Sequence, residues 1–182
     1  MNSLTKSPFR VLSTKSVYRN PWINVREDKV VHSSGKERIF GVIEMKAGST
    51  VLAINNQNEV FLVKEYKYGI ESDSIELMSG GLEEGETPLE GAKRELKEEL
   101  GIEADQWVDL GMVDPFTTVV RSPNYMFLAR NLRYGTGTPE EWEELEILKV
   151  PFSEAVAMVM RSEISHAASC ICILKAARVL EL

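Results

Sequence analysis

The sequence has few cysteines and histidines, and it lacks both a long apolar run and a basic cluster. It contains two cysteines and two histidines among 182 residues. Cys170 and Cys172 are too close together in an apolar helical stretch for a strain-free disulfide, and two thiols without histidine partners make a poor zinc site. We therefore expect both cysteines to pack in the core of a protein from a reducing compartment. His32 and His166 are isolated in the sequence, and neither is predicted to be catalytic.

The missing apolar and basic runs exclude several classes of partner. No apolar run reaches the length of a membrane helix, and the opening residues MNSLTKSPFR lack the apolar part of a secretory signal. These features predict a cytoplasmic protein with no membrane partner. The net charge is −7, from 21 Lys and Arg against 28 Asp and Glu, and without a basic cluster this argues against a nucleic-acid polymer. An anionic small molecule is compatible, because bound cations would invert the local field.

What the sequence does contain is an acidic run, GGLEEGETPLEGAKRELKEELGI, from Gly80 to Ile102. In a helix, Glu95 lies one turn from both Glu98 and Glu99, so three carboxylates share one surface. Like charges at these spacings destabilise an isolated helix by roughly 0.2–0.5 kcal/mol per pair. A divalent cation reverses the sign of that effect, and oxygen ligands suit Mg²⁺ or Mn²⁺. The run indicates either a metal-binding helix or a solvated acidic face.

The helix that carries these carboxylates has its own start and stop signals. Thr87 is the predicted N-cap, and Pro88 occupies the first helical position, where its missing N–H costs nothing. Glu90 completes a capping box with Thr87. Gly101 suits the left-handed residue that ends many helices.

Arg94 and the glycines before the helix favour the metal-binding interpretation. The Arg94 side chain can reach Glu86 or Glu98 and hold a carboxylate in the orientation of a ligand. Glycines such as Gly80 permit a tight loop whose backbone approaches a ligand closely. Because the glycine loop, the arginine and the carboxylates fit one spacing, we favour a metal site over a solvated acidic face.

The run matches every defined position of the Nudix box, and the chain therefore resembles the Nudix hydrolases, which cleave a nucleoside diphosphate linked to another moiety. The resemblance implies an α/β fold, namely an α/β/α sandwich with a mixed sheet and an N-terminal β-hairpin extension. It implies Mg²⁺-dependent cleavage of a diphosphate, with Mn²⁺ as a substitute. It also implies metal ligands at Glu95, Glu98, Glu99 and the backbone carbonyl of Ser79. Glu98, Glu99 and Arg94 are the predicted catalytic residues of the box.

Features outside the box resemble the ADP-ribose pyrophosphatase branch of this family. They are the N-terminal hairpin, the segments VFLVKEYKYG and Ile75–Gly80, the stretch Asp114–Thr118 and the closing run SEISHAASCICILKAA. The resemblance implies hydrolysis of a nucleoside diphosphate sugar, with ADP-ribose cleaved to AMP and ribose 5-phosphate. The alternatives are GDP-mannose, another nucleotide sugar, NADH or a dinucleoside polyphosphate as substrate, or a non-catalytic module that senses nucleotide sugars.

The resemblance also implies roles for two kinds of acidic residue outside the box. Glu76 stands where the branch has an acid near the substrate. A glutamate of the late loop acts on the attacking water in that branch. Within Thr138–Glu144 we predict Glu141 as this base and Glu143 as an added metal ligand.

Four further residues are predicted to bind substrate. Lys67 stands where the branch often has an arginine, and Lys67 and Arg121 could each bind a phosphate or be an ordinary surface cation. Trp22 is predicted either to stack on a base at a subunit interface or to be a core residue. Pro115 matches a proline that the branch carries downstream of the box.

The apolar patterns predict how these motifs are arranged along the chain. Residues 1–15 are predicted to be a loose lead, followed by a hairpin of Val17–Val31 and Glu37–Met45. A second predicted hairpin joins Thr50–Ile54 to Val60–Tyr66. Two helices, Phe152–Arg161 and Ser165–Leu180, close the chain.

We predict two parts of the chain with different tasks. Residues 1–45 form N-terminal strands, to which the resemblance assigns dimerisation. Residues 46–182 form the Nudix hydrolase domain. The predicted assembly is a homodimer whose small-molecule partner is a nucleotide sugar.

Overall fold

The structure, a computed structural model, describes residues 7–138 and 145–181. The strands are β1 (Phe9–Arg19), β2 (Ile23–His32), β3 (Glu37–Met45), β4 (Gly48–Ala53), β5 (Glu59–Lys67), β6 (Ser72–Glu76), β7 (Met78–Gly81), β8 (Ile102–Val113), β9 (Val120–Arg121), β10 (Asn124–Tyr134) and β11 (Glu146–Pro151). The helices are α1 (Pro88–Leu100), α2 (Phe152–Met160) and α3 (Ala167–Leu180), with a short 3₁₀ helix at Tyr68–Ile70. The chain divides into an N-terminal unit, which runs to Lys46 and includes Phe116–Ser122, and a main unit of Ala47–Pro115 and the chain from Pro123. The predicted division at residues 45 and 46 stays a prediction.

The N-terminal unit is built on three consecutive antiparallel strands. β1 pairs with β2, β2 pairs with β3, and β9 joins β3 in parallel. The predicted hairpin turn between β2 and β3 is confirmed. Thr14 of β1 donates to Asp28 of β2 at 2.8 Å, and Asp28 also accepts from Arg26 at 3.0 Å. Both hydrogen bonds lower the pKa of Asp28, and the one from Thr14 has the larger effect. The contact between Thr14 and the charged Asp28 therefore helps to fix the register of β1 against β2.

Two predictions for the N-terminal strands are wrong. Residues 1–15 are not all a loose lead, because Phe9–Arg19 forms β1. The predicted strand Val17–Val31 is interrupted, since the side-chain oxygen of Asn20 accepts the backbone N–H of Trp22 at 2.9 Å and turns the chain. Such local side-chain contacts compete with extended strand structure.

The main unit contains two sheets. One has the order β7-β4-β10-β8, with β4 and β10 parallel and the other neighbours antiparallel. The other has the order β11-β5-β6 and is antiparallel. The predicted hairpin of Thr50–Ile54 and Val60–Tyr66 is therefore wrong, because its two segments join different sheets and meet at a bridge between Ile54 and Val60.

Residues of β4 and β10 alternate between two faces of their sheet. Leu52 and Leu128 pack in a cluster with residues of α2 and α3. Val51 and Phe127 pack in a second cluster with residues of α1. Because strand side chains alternate with a period of two, α1 and α3 cover opposite faces. This confirms the predicted α/β/α arrangement.

Helix α1 begins and ends where its sequence predicts. Thr87 Oγ1 accepts the backbone N–H of Glu90 at 3.4 Å, and the Glu90 carboxylate accepts the backbone N–H of Thr87 at 2.8 Å. These two contacts form the predicted capping box. Gly101 ends the helix with a left-handed φ of 63°. Gly91 lies inside the helix, and a Cβ there would overlap the end of the Leu82 side chain in the preceding loop.

The two closing helices match their predicted spans within two residues, and α3 carries both cysteines. Cys172 is fully buried in the core beside α2, and Cys170 is half-buried. Burial raises the pKa of the Cys172 thiol to about 12, so this thiol stays protonated. No helix among the residues described is long and apolar enough to cross a membrane.

Candidate active site

Arg94 of α1 lies at the centre of a set of carboxylates. Its Nε and Nη2 donate to the two oxygens of Glu86 at 2.8 and 3.0 Å. Its Nη1 donates to Glu95 at 2.9 Å and to Glu98 at 3.1 Å, and Nη2 also donates to the carbonyl of Gly81 at 3.1 Å. A guanidinium has five N–H donors in a planar fork. Five contacts therefore engage its whole donor set and orient the side chain.

Glu86 is held from two sides and remains charged. Besides Arg94, the backbone N–H of Glu83 donates to its carboxylate at 2.9 Å. The hydrogen bond from Arg94 and then that from Glu83 lower the pKa of Glu86 from 4.5 to about 2. Glu86, followed by Glu95, raises the pKa of Arg94 above its ordinary value, against the effect of burial. Glu86 and Arg94 are therefore both charged throughout the neutral range.

Gly80 lies directly beneath the carboxylate of Glu95. A Cβ at position 80 would overlap the carboxylate of Glu95 and would lie 2.6 Å from its Cγ. In the pairing of β7 with β4, Gly80 is opposite Ser49, whose buried Oγ has no hydrogen-bond partner among the described residues. The glycine thus allows the Glu95 carboxylate to lie over the strand backbone next to Ser79.

A small polar cavity of about 90 Å³ is enclosed by residues of β5, β6, β7 and α1. Its polar lining among the residues described consists of Glu65, Lys67, Glu76, Ser79 and Glu99. Three carboxylates and one ammonium group therefore face the same space. Glu99 connects this cavity to the carboxylate face of α1.

Lys67 is a cation in this cavity and forms an ion pair with Glu65. Burial lowers the pKa of Lys67, but the hydrogen bond to Glu65 and the charges of Glu76 and Glu99 outweigh burial, so the pKa is raised. Lys67 is therefore protonated and is placed to contact an anionic group that enters the cavity.

The end of α1 contacts the beginning of the late loop. The backbone N–H of Thr138 donates to the carbonyl of Glu98 at 2.7 Å, and that of Gly135 donates to the carbonyl of Gly101 at 2.7 Å. Leu145 lines the polar cavity. The predicted base Glu141 and the predicted ligand Glu143 lie outside the described residues, and their roles stay predictions.

Comparison with known proteins identifies the family that these features point to. Residues 45–168, more than half of the chain, match the NUDIX domain. The chain belongs to the Nudix family. The chain is therefore a Nudix hydrolase of the pyrophosphatase kind. Residues 9–43 match a second family, described as the nucleoside diphosphate sugar hydrolase N-terminal domain.

The named relatives of this Nudix protein are distant. The methanol dehydrogenase activator of Bacillus methanolicus is 23% identical over 163 residues, which cover 85% of each chain. The ADP-ribose pyrophosphatase of Bacillus subtilis (strain 168) is 25% identical over 166 residues, covering 87% of this chain and 86% of the relative. The crystal structure of an ADP compounds hydrolase matches with a TM-score of 0.85 at 21% identity, covering 96% of this chain and 95% of that one. This last likeness establishes the fold.

Two of the predicted metal ligands, Glu95 and Glu98, have different surroundings. The side chain of Glu95 is 14% exposed and that of Glu98 is 48% exposed, and both bind Arg94. Within residues 7–138 and 145–181, no three His, Cys, Asp or Glu side chains converge closely enough to hold a metal ion. The chemistry of the predicted ligands nevertheless fits a hard divalent cation, because they are carboxylate oxygens and the Glu95 carboxylate lies directly over Gly80.

His166 is a residue of the cavity region that sequence reasoning missed. Its Nδ1 lies 3.3 Å from Glu76 Oε2 and 2.9 Å from Ser169 Oγ. Burial lowers the pKa of His166; the charge of Glu76 raises it and that of Lys67 lowers it, and the net direction is downward. Glu76 and His166 are far apart in the sequence, so no local pattern signals their contact.

The remaining predicted substrate-binding residues lie in three different loops or strands. Trp22 lies in the turn between β1 and β2 with 72% of its surface exposed, so the alternative of a core tryptophan is wrong. Arg121 is an exposed residue of β9, 3.9 Å from Glu44. Pro115 lies in an exposed turn after β8. Their contacts with substrate stay predictions.

Proposed function

We propose that this Nudix protein hydrolyses the diphosphate bond of a nucleoside diphosphate sugar in a Mg²⁺-dependent reaction, and that ADP-ribose is cleaved to AMP and ribose 5-phosphate. The observation that carries the substrate class is the match of residues 9–43 to the nucleoside diphosphate sugar hydrolase N-terminal domain. Similarity to the Bacillus subtilis ADP-ribose pyrophosphatase supports ADP-ribose as the substrate.

The carboxylate face of α1 is the proposed metal-binding part of the site. Glu95, Glu98 and Glu99, with the backbone carbonyl of Ser79, would hold the cation. A bound Mg²⁺ supplies charge neutralisation on the diphosphate and a lower pKa for a coordinated water. Arg94 contributes orientation, because its contacts with Glu95 and Glu98 restrict where these carboxylates point.

The polar cavity is the proposed substrate-facing part. The ammonium group of Lys67 would contact a diphosphate oxygen. The carboxylates of Glu65 and Glu76 are acceptors that suit the hydroxyl groups of a sugar. A cavity that brings the ammonium group of Lys67 together with several carboxylates fits a ligand that is anionic at one end and rich in hydroxyls at the other.

A panel of diphosphate substrates tests the proposed reaction. ADP-ribose, GDP-mannose, NADH and a diadenosine polyphosphate are incubated with the protein and Mg²⁺, and phosphatase treatment then releases phosphate from monoester products. We expect the highest kcat/KM for ADP-ribose and no turnover in EDTA. A clear preference for NADH or the diadenosine compound would contradict the substrate class. Tight ADP-ribose binding without turnover would favour the sensing module.

Charge-removing variants test the proposed ligands. Glu98→Gln and Glu99→Gln should lower kcat by more than the roughly 10–100-fold typical of changes around a metal site. Both should keep a melting temperature close to wild type, because these side chains are not in the apolar core. Glu154→Gln on α2 is the matched control and should keep wild-type turnover. Unchanged turnover in both box variants would overturn the ligand assignment.

A further inference from the structure

The break between β6 and β7 consists of one residue, Leu77, whose neighbours line the proposed site. β6 ends at Glu76 and β7 begins at Met78, yet these strands belong to different sheets. Glu76 and Ser79 both line the polar cavity. The conformation of the chain at Leu77 therefore sets where the Glu76 carboxylate lies relative to the Ser79 backbone.

The N–H of Leu77 is held by a side chain from another element. Ser169 Oγ, in the first turn of α3, accepts this N–H at 2.9 Å. Ser169 and Leu77 are both 0% exposed. A buried backbone N–H requires a partner, so Ser169 both satisfies the peptide group and fixes its direction.

His166 joins that contact to the cavity. Its Nδ1 lies 2.9 Å from Ser169 Oγ and 3.3 Å from Glu76 Oε2. Ser169 Oγ and the Glu76 carboxylate both accept hydrogen bonds, so a proton on Nδ1 can be shared between them. His166 is also the N-cap residue of α3, but its side chain makes no capping hydrogen bond. Helix capping therefore does not account for an imidazole at this position.

We propose that Ser169 and His166 are positioning residues of the active site. Ser169 holds the Leu77 peptide, and His166 holds Ser169 and the Glu76 carboxylate, so together they set the relative positions of Glu76 and the Ser79 backbone. This inference rests on the proposed function, because it assigns both residues to the same metal and substrate site. It assigns neither residue a contact with the substrate.

Four variants of the full chain separate positioning from simple packing. Ser169→Ala removes the acceptor of the Leu77 N–H. If this alanine variant does not fold, the nearly isosteric Ser169→Cys is measured in its place. His166→Ala removes the imidazole, and His166→Asn retains a polar atom close to the position of Nδ1. Ile173→Val is the matched control, since Ile173 is a fully buried apolar residue of the same helix. Melting temperatures establish that the compared variants are folded to similar extents.

Mn²⁺ binding to the nucleotide-free protein, followed by electron paramagnetic resonance, gives a readout independent of turnover. We expect Ser169→Ala to raise the dissociation constant for Mn²⁺ more than threefold relative to Ile173→Val. We expect His166→Ala to lower kcat for ADP-ribose more than threefold relative to the same control, and His166→Asn to restore kcat to within threefold of wild type. A change of threefold or less in Mn²⁺ affinity overturns the role of Ser169. A kcat of His166→Ala within threefold of the control, or no restoration by asparagine, overturns that of His166.

The two proposals fail in distinguishable ways. If wild type cleaves no nucleotide sugar, the proposed function fails, and with it the role of His166, which is measured by kcat. The Mn²⁺ titration of Ser169→Ala still decides the role of Ser169 by the same threefold criterion. If wild type is active and Ser169→Ala and His166→Ala behave like Ile173→Val, the proposed function stands and the positioning roles fail. If wild type neither binds Mn²⁺ nor turns over, both proposals are overturned.

Discussion

Arg94 binds Glu86 through two parallel hydrogen bonds, from Nε to Oε1 at 2.8 Å and from Nη2 to Oε2 at 3.0 Å. A bidentate contact of this kind fixes the plane of the guanidinium. That plane directs Nη1 towards Glu95 and Glu98 on the same helix. The orientation of two proposed metal ligands of this Nudix protein therefore depends on Glu86, which precedes the helix.

Glu86→Gln should lower the free energy of unfolding by about 2 kcal/mol at pH 7, because it removes a charged hydrogen-bond partner of Arg94. Folding lowers the pKa of Glu86 from 4.5 to about 2. Its contribution is therefore complete above about pH 4.5 and is lost as the pH falls towards 2. Urea unfolding should show a smaller difference between wild type and variant at pH 3 than at pH 7. Equal differences at both pH values would contradict this, and Glu84→Gln in the same exposed loop is the control.

Arg94→Lys should reduce both stability and turnover, although it conserves the charge. A lysine ammonium is a point charge and cannot replace a planar fork that engages three carboxylates. We expect a loss of about 2–3 kcal/mol in the free energy of unfolding and roughly a 10–100-fold fall in kcat.

Arg161→Lys is the matched control for that substitution. Arg161 also binds two glutamates, Glu154 and Glu163, but it lies at an exposed position directly after α2. Exposed ion pairs contribute little, so turnover and urea midpoint should stay close to wild type. Equal effects of the two substitutions would show that the fork geometry at position 94 has no special role.

Helix α1 could be predicted from the sequence because its determinants are local. The cap at Thr87, the capping box with Glu90 and the left-handed Gly101 all act within one or two turns. The four-residue spacing of Arg94 from Glu98 is likewise a helical spacing. The close approach of the Leu82 side chain to Gly91, by contrast, has no signal in the local sequence.

The parts that could not be predicted depend on contacts between distant segments. β4 and β5 look like a hairpin because polar residues separate two apolar runs, but strand pairing places them in different sheets. β1 has no amphipathic pattern, because nearly all of its residues are exposed. The contact of His166 with Glu76 arises only when α3 packs against the strand break at Leu77.

Gly80→Ala should leave the fold intact and lower turnover. A Cβ at position 80 would overlap the end of the Glu95 side chain, which can rotate away at little cost to folding. The carboxylate would then leave the strand backbone near Ser79, and a displacement of about 1 Å in an active site can cost about 10²-fold in rate. Steady-state kinetics with ADP-ribose and a melting curve measure the two effects. Gly41→Ala is the control, because a Cβ there has no atom within 4 Å. A wild-type kcat in Gly80→Ala would show that turnover does not depend on the position of the Glu95 carboxylate over Gly80.

The predicted homodimer can be tested on strand β1. This strand lies at the edge of its sheet and exposes Val17 and Tyr18, and Trp22 follows in the exposed turn. Unpaired edge strands favour association, and a lysine on the edge opposes it. Sedimentation equilibrium should give a dimer whose dissociation constant rises at least tenfold in Val17→Lys and in Trp22→Ala. Lys36→Ala should associate like wild type, and a monomer at all concentrations would contradict the prediction.

Gly101→Ala should destabilise the protein more than its backbone conformation alone requires. A left-handed φ of 63° costs a non-glycine residue about 1–2 kcal/mol. In addition, a Cβ there would lie 2.6 Å from the backbone nitrogen of Gly137 and 2.7 Å from the carbonyl oxygen of Gly135, which cannot move as a side chain can. Overpacking of this kind costs typically 1–3 kcal/mol. The loop would have to shift, and the contact between the Thr138 N–H and the Glu98 carbonyl would weaken, so kcat should fall as well.

Gly85→Ala separates the two contributions in Gly101→Ala. Gly85 has a φ of 85°, but a Cβ there would meet nothing within 4 Å. Its substitution should therefore show the conformational cost alone, and urea unfolding should place Gly101→Ala at least about 1 kcal/mol below it. Equal free energies of unfolding for the two variants would mean that the late loop can shift away from a Cβ at position 101 without a loss of stability. The end of α1 would then not hold that loop against the carbonyl of Glu98, and the loop residues would need another anchor near the site.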